Sequence, residues 1–186
     1  MAHTTSKLTT CLKGNTMKKS YLLMAAILAT SIMTFGDANA ATQCASPLPP
    51  AKAIALVKNF YEAFSSKNKD QLDVVLEKDW IDVPMAPGQQ PGLEGMKGAL
   101  DHYYASFPDL NVTNEDFIVQ GNKVVVRSTI RATQLGNFAS IQPSNKPIQI
   151  MALDVHELCN GKVVQTWHVE DWLSGMFQMG ALPLKN

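Results

Sequence analysis

The 186-residue chain carries 16 basic and 16 acidic residues, a formal net charge of +0, with 46% of residues hydrophobic and 17% charged. These proportions exclude a disordered chain, which would hold fewer apolar groups and more charge, and they give no electrostatic footprint for nucleic acid. The first forty residues contain four lysines and one acid; setting them aside leaves 12 basic against 15 acidic residues, a mildly acidic body with no patch for phosphates or anionic lipid.

From Met17 the sequence reads MKKSYLLMAAILATSIMTFGDANA, with Lys18 and Lys19 ahead of an apolar run at 21–33 and a small-residue ending, Ala38-Asn39-Ala40. This is the pattern of a secretory signal peptide, because the apolar run is roughly 13 residues and spanning a bilayer takes about 20. The reading divides the chain into an upstream extension (1–16), a signal peptide (17–40), a Pro-rich lead-in (41–50) with Pro47, Pro49 and Pro50, and one domain (51–186). It predicts a bacterial protein that is periplasmic or secreted and has no membrane contact after leader cleavage. Cys44 and Cys159 remain after that cut, in a compartment where disulfides persist, but sequence does not say whether the two meet.

Ile54, Val57, Phe60, Tyr61 and Phe64 recur at three- and four-residue intervals and predict a first helix. Leu72, Val74, Val75 and Leu76 suggest a second, short helix ending before Trp80. A loop rich in Pro and Gly follows at 84–92, and Leu93, Met96, Leu100, Tyr103, Tyr104 and Phe107 predict a third helix, stopped by Pro108. The period then changes to that of strands at 116–120, 123–134, 148–158 and 163–173, with Asn111-Val112-Thr113 read as a strand start. Gly121-Asn122 and Asn160-Gly161 are tight-turn signals, so these strands are expected to pair as antiparallel hairpins. Helices first and strands afterwards predict an α+β domain, its N-terminal helices packed on a curved antiparallel sheet.

With Asn160-Gly161 as a two-residue turn, Cys159 pairs with Lys162, and counting outward sets His156 opposite Gln165, Asp154 opposite Trp167 and Ile150 opposite Asp171. One face would then carry Asp154, Trp167 and Asp171, and the other His168 and Glu170 with Met151 and Leu153. A one-residue slip keeps the alternation within each strand and exchanges the partners. An acid on an apolar face beside an indole is a candidate general acid or base, since desolvation raises its pKa toward working pH; the alternative is a solvated acid at a strand end. His102, His156 and His168 show no metal-ligand spacing, the thiols form no paired motif, and no nucleophile elbow or phosphate loop is present, so neither metal nor cofactor is expected.

Asn59-Phe60-Tyr61, Phe107-Pro108-Asp109-Leu110, Val124-Val125-Val126-Arg127, Gly136-Asn137-Phe138, and the closing stretches Gly161-Lys162-Val163-Val164 and Gln178-Met179-Gly180-Ala181-Leu182-Pro183 occur in that order. In this the domain resembles the SnoaL-like polyketide cyclase family, within the cone-shaped superfamily that includes ketosteroid isomerases and nuclear transport factor. The resemblance implies a cone-shaped, helix-lined apolar pocket, a homodimer, and aldol ring closure by acid–base chemistry without metal or cofactor. The family's catalytic acid lies four residues after the tryptophan of the last strand, which here marks Asp171 after Trp167. A histidine of the family is replaced by Gln134, which does not titrate but can hydrogen-bond a carbonyl. Asp171 is thus the expected catalytic residue, with Gln134, Trp167, Asp154 and His168 as expected contacts to a small hydrophobic carbonyl compound. The competing readings are a non-enzymatic ligand-binding protein and a dimeric interaction module of the cell envelope that uses the sheet face of Met151, Leu153 and Val155.

Overall fold

The computed structural model describes residue 44 and residues 46–183; the expected extension and signal peptide (1–40) lie outside the described residues. Helix α1 (Pro50–Ser66) opens with a proline in its first turn, where a missing N–H costs nothing, and ends on Lys67 in the left-handed region. Its face of Val57, Phe60 and Tyr61 is buried, as the helical spacing predicts. The short α2 (Gln71–Val75) leads without a turn into strand β1 (Leu76–Val83). Then come α3 (Gly92–Ser106), β2 (Asn111–Gln120), β3 (Lys123–Thr133), β4 (Pro147–Cys159), β5 (Lys162–Glu170) and α4 (Trp172–Met179).

The five strands form one sheet in the order β1-β5-β4-β3-β2. The β2–β3, β3–β4 and β4–β5 pairs are antiparallel, as expected, but β1 runs parallel to β5, so the sheet is mixed rather than antiparallel throughout. β1 escapes a periodicity reading because its inward residues, Leu76 and Trp80, are separated by the polar run Glu77-Lys78-Asp79. The last strand also ends earlier than its apolar run predicts: Asp171 caps α4, and Trp172 and Leu173 belong to that helix.

The β4–β5 hairpin turns at Asn160-Gly161, both at positive φ, and Cys159 does pair with Lys162. Two residues on, the register shifts: Leu158 pairs with Val163 and Glu157 with Gln165, leaving Val164 as a bulge. The expected cross-strand pairs are therefore displaced by one, and Asp154 faces His168 while Val155 faces Trp167. Cys44 and Cys159 are joined by a disulfide, with their Cα atoms 5.0 Å apart, which ties the lead-in to this hairpin end.

The helices cover the inner sheet face. One apolar cluster gathers Val57, Phe60, Leu72, Trp80, Leu100 and Val126; a second, at the other end, gathers Phe107, Leu110, Ala132, Ile148 and Met179. Between the two clusters the inner face is polar, and there the site is found.

Candidate active site

Strand alternation on β4 sends Ile148, Ile150, Ala152, Asp154, His156 and Leu158 to the buried face. The bulge at Val164 brings Thr166, His168 and Glu170 of β5 onto that same face, and the parallel pairing of β1 adds Trp80 and Asp82. Phe60, Tyr61 and Phe64 of α1, Met96 and Tyr103 of α3, and Trp172 of α4 close the other walls of a cavity of about 70 Å³. Its lining is mainly aromatic and aliphatic, with the polar groups gathered on the sheet side.

Asp154 is 5% exposed. Its Oδ2 accepts from the Tyr61 hydroxyl at 2.9 Å, the carboxylate's only hydrogen bond among the described residues. Among the described residues no buried side-chain oxygen is left without a partner, so Oδ1 retains some access to the cavity. Burial raises the Asp154 pKa to about 7; the Tyr61 hydrogen bond works against that rise, and the nearby Glu170 charge adds to it. Behind Tyr61, His156 Nε2 lies 2.9 Å from the Tyr61 oxygen, and Nδ1 lies 2.9 Å from Thr166 Oγ1. Burial depresses His156 to about 3, so its ring is neutral. Trp80 Nε1 donates to the same Thr166 oxygen at 3.0 Å.

His168 is bracketed by carboxylates. Nδ1 donates to Glu170 Oε1 at 2.8 Å, while Nε2 lies 3.0 Å from Asp82 Oδ1 and 2.9 Å from the Pro84 carbonyl. Burial alone would lower its pKa, but the hydrogen bonds to Asp82 and Glu170 outweigh it and hold the ring protonated up to about 10. Gln89 Nε2 donates to the second Asp82 oxygen at 2.8 Å. Ligand-capable atoms of Asp154, His168 and Glu170 lie within 4.8 Å of one another. A cation there would have to displace a tightly held proton from His168, so the donor set suits an imidazolium better than a metal ion. The Tyr103 hydroxyl makes no hydrogen bond among the described residues, and burial raises its pKa well above the ordinary value, so it is a neutral donor lining the cavity.

Of the five residues singled out from sequence, the structure brings Asp154 and His168 into the cavity and leaves the other three outside. Asp171 is exposed at the N-cap of α4: Oδ1 accepts from the Ser174 N–H at 3.1 Å and Oδ2 from the Ser174 hydroxyl at 2.6 Å. Those bonds hold its pKa below the ordinary value, the opposite of the expected desolvated acid. Trp167 lies on the outer face under the Lys123 ammonium, 4.3 Å from the ring centroid, because the bulge reverses the faces of β5 relative to β4. Gln134 is fully buried, outside the cavity lining, with both ends of its amide engaged by its own loop. Its Nε2 donates to the carbonyls of Gly136, Ile141 and Gln142, and its Oε1 accepts from Ser144 N–H, so it serves as the spool for the 135–146 loop. The sequence marks Tyr61 as core and Tyr103 only as one of the helix aromatics that shape the cavity, and it gives Thr166 and Trp80 no role at the site. The available signal was Asp154 and His156 at consecutive inward positions of one strand, since two adjacent buried polar groups require partners.

The SnoaL-like polyketide cyclase family model matches residues 55–179. Among solved structures, TsrD from Streptomyces laurentii is 29% identical with a TM-score of 0.69, over 73% of this chain and 99% of that one. IdmH from Streptomyces antibioticus is 24% identical with a TM-score of 0.60, over 69% and 98%. A SnoaL-like polyketide cyclase from Agrobacterium tumefaciens is 17% identical with a TM-score of 0.59, over 69% and 98%. No curated protein matches the chain. The family match, which spans both clusters and every strand of the cavity, places this chain in the SnoaL-like polyketide cyclase family.

Proposed function

We propose that this protein is an exported, cofactor-independent enzyme of the cyclase or isomerase kind, acting on a small hydrophobic carbonyl compound with Asp154 as the proton-transfer group. The observation that carries the reading is a buried carboxylate with one oxygen held by Tyr61 and the other open to an aromatic-lined cavity, its pKa brought to about 7. A general base works best when its pKa lies near the operating pH. Asp154 Oδ1 removes the proton from the carbon next to the carbonyl, and the electron pair moves onto the carbonyl oxygen, which the Tyr103 hydroxyl stabilises as an enolate. The enolate carbon then attacks a second carbonyl, closing a ring as the new alkoxide takes the proton from Asp154; in a substrate whose C=C is conjugated with the enolate, the electron pair shifts instead and the γ-carbon takes that proton, moving the double bond. Export is supported by the leader pattern at 17–40 and by the Cys44–Cys159 disulfide, which fits a periplasmic or secreted protein. A homodimer is supported by the apolar outer face of β4 and β5, where Met151, Leu153 and Val169 are exposed.

The replacement of the family histidine by a fully engaged Gln134 favours a second reading, a binding protein that holds its ligand without turning it over. Deuterium uptake at the α-carbon of an enolisable aryl ketone, 2-tetralone, separates the two. Wild-type protein is expected to accelerate exchange and Asp154→Asn to abolish it, with both quenching tryptophan fluorescence on ketone binding. Undiminished exchange by Asp154→Asn overturns the enzyme reading; binding without exchange by the wild type establishes the second.

A further inference from the structure

Along the cavity wall, four side chains from four separate elements form one continuous hydrogen-bonded chain: Trp80 of β1, Thr166 of β5, His156 of β4 and Tyr61 of α1. The contacts are 3.0, 2.9, 2.9 and 2.9 Å, ending on Asp154 Oδ2. Trp80, His156 and Thr166 are each no more than 2% exposed, and their buried polar atoms are partnered within the protein.

The donors can be assigned by counting. The Trp80 indole donates only, so its N–H fixes Thr166 Oγ1 as an acceptor at that contact. If His156 Nδ1 also donated to Thr166, the threonine hydrogen would have no acceptor, because Thr166 makes no other side-chain hydrogen bond among the described residues. A buried unpaired donor is costly, so the Thr166 hydroxyl donates to Nδ1. A neutral ring with Nδ1 unprotonated carries its hydrogen on Nε2, which donates to the Tyr61 oxygen, and Tyr61 in turn donates to Asp154. All four hydrogens then point the same way.

We propose that Trp80, Thr166, His156 and Tyr61 form a one-way hydrogen-bond relay whose fixed direction presents a donor to Asp154 and thereby holds its proton affinity in the working range. The proposal rests on the reading of Asp154 as the proton-transfer group. None of Trp80, Thr166 and His156 transfers a proton to substrate; they are positioning residues that act through Tyr61. Burial pushes the Asp154 carboxyl up, and the relay limits the rise by stabilising the ionised form. The other groups facing Asp154 are Asp82 from β1 and His168 and Glu170 from β5, and substitutions at Thr166 leave all three in place.

The test needs no turnover. The imidazole nitrogen shifts of His156 in ¹⁵N-labelled wild-type protein at pH 7 are expected to show the hydrogen on Nε2; a hydrogen on Nδ1 overturns the relay at once and requires no variant to fold. The ¹³Cγ shift of Asp154, followed against pH, is then compared in wild type, Thr166→Val and Thr166→Ser. Thr166→Val should move the Asp154 midpoint up by about one pH unit, and Thr166→Ser, which keeps the hydroxyl, should restore it. An unmoved midpoint in folded Thr166→Val overturns the proposal. Persistence of ketone exchange in Asp154→Asn would overturn the enzymatic reading and leave both relay measurements standing.

Discussion

On the inner face of β4 and β5 the side chains are Ala152, Asp154 and His156 beside Thr166, His168 and Glu170; on the outer face they are Met151, Leu153 and Val155 beside Trp167 and Val169. The usual arrangement is reversed at the middle of this hairpin, with polar groups inside and apolar groups outside. The inner face tolerates this because its buried polar atoms are all partnered, through the chain from Trp80 to Asp154 and through the carboxylates around His168. On the outer face the Lys123 ammonium lies over Trp167, and the exposed Met151, Leu153 and Val169 suit a second surface. The same two-residue alternation thus builds a polar-lined cavity wall on one side and an exposed apolar face on the other.

The largest expected effect separates the two acids of this region. Asp154→Asn should lower turnover of an enolisable ketone by about 10²–10⁴-fold, the usual share of a general base, while Asp171→Asn, at an exposed helix cap, should leave it where it was. If Asp171→Asn abolishes turnover, the inner face is not the reaction site.

Next comes a pH effect with a definite sign. Asp154 has a folded pKa of about 7 against an ordinary 3.8, so the native state holds the proton more tightly; this contribution to stability is fully present below about 3.8 and is lost as pH rises through about 7. His156 runs the other way, about 3 against 6.5, so its contribution is fully present above about 6.5 and is lost as pH falls through about 3. Between pH 4 and 6.5 the two slopes oppose each other in the wild type. Asp154→Asn removes one of them, so its stability relative to wild type should fall by about 1.4 kcal/mol for each unit of acidification, measured by urea unfolding at pH 4.5, 5.5 and 6.5.

A smaller effect tests satisfaction of the inner face. Tyr61→Phe deprives both Asp154 and His156 of a buried partner and should cost about 1–3 kcal/mol, whereas Val169→Thr on the outer face should change monomer stability by less than about 0.5 kcal/mol. Equal losses from the two would erase the contrast. The smallest effect on folding is expected from Leu153→Lys, also on the outer face, which should leave the cavity intact and shift the mass seen by native mass spectrometry from dimer to monomer. A dimer that survives Leu153→Lys together with Met151→Lys places the contact elsewhere.

Much of the fold was legible in the sequence. The spacing of Val57, Phe60, Tyr61 and Phe64 marked α1, the paired turn residues marked both hairpins, and helices ahead of strands marked an α+β domain. The site was legible only in part. Asp154 and His168 stood out as titratable groups within apolar strands, but the two faces of β4 are nearly equally apolar at Ile148, Ile150 and Ala152 against Met151, Leu153 and Val155, so composition could not say which faced the core.

Local sequence determined the helix faces, the turns and the alternation along each strand, because these depend on neighbours within a few residues. Tertiary structure alone decided which alternations coincide. One bulged residue, Val164, shifts β5 by one position and brings His168 rather than Trp167 beside Asp154, and the parallel docking of β1 delivers Trp80 and Asp82 from far along the chain. Whether a carboxylate titrates near neutrality or caps a helix depends on the burial and partners it meets after folding, and for Asp154 and Asp171 those were set by contacts that no spacing in the sequence records.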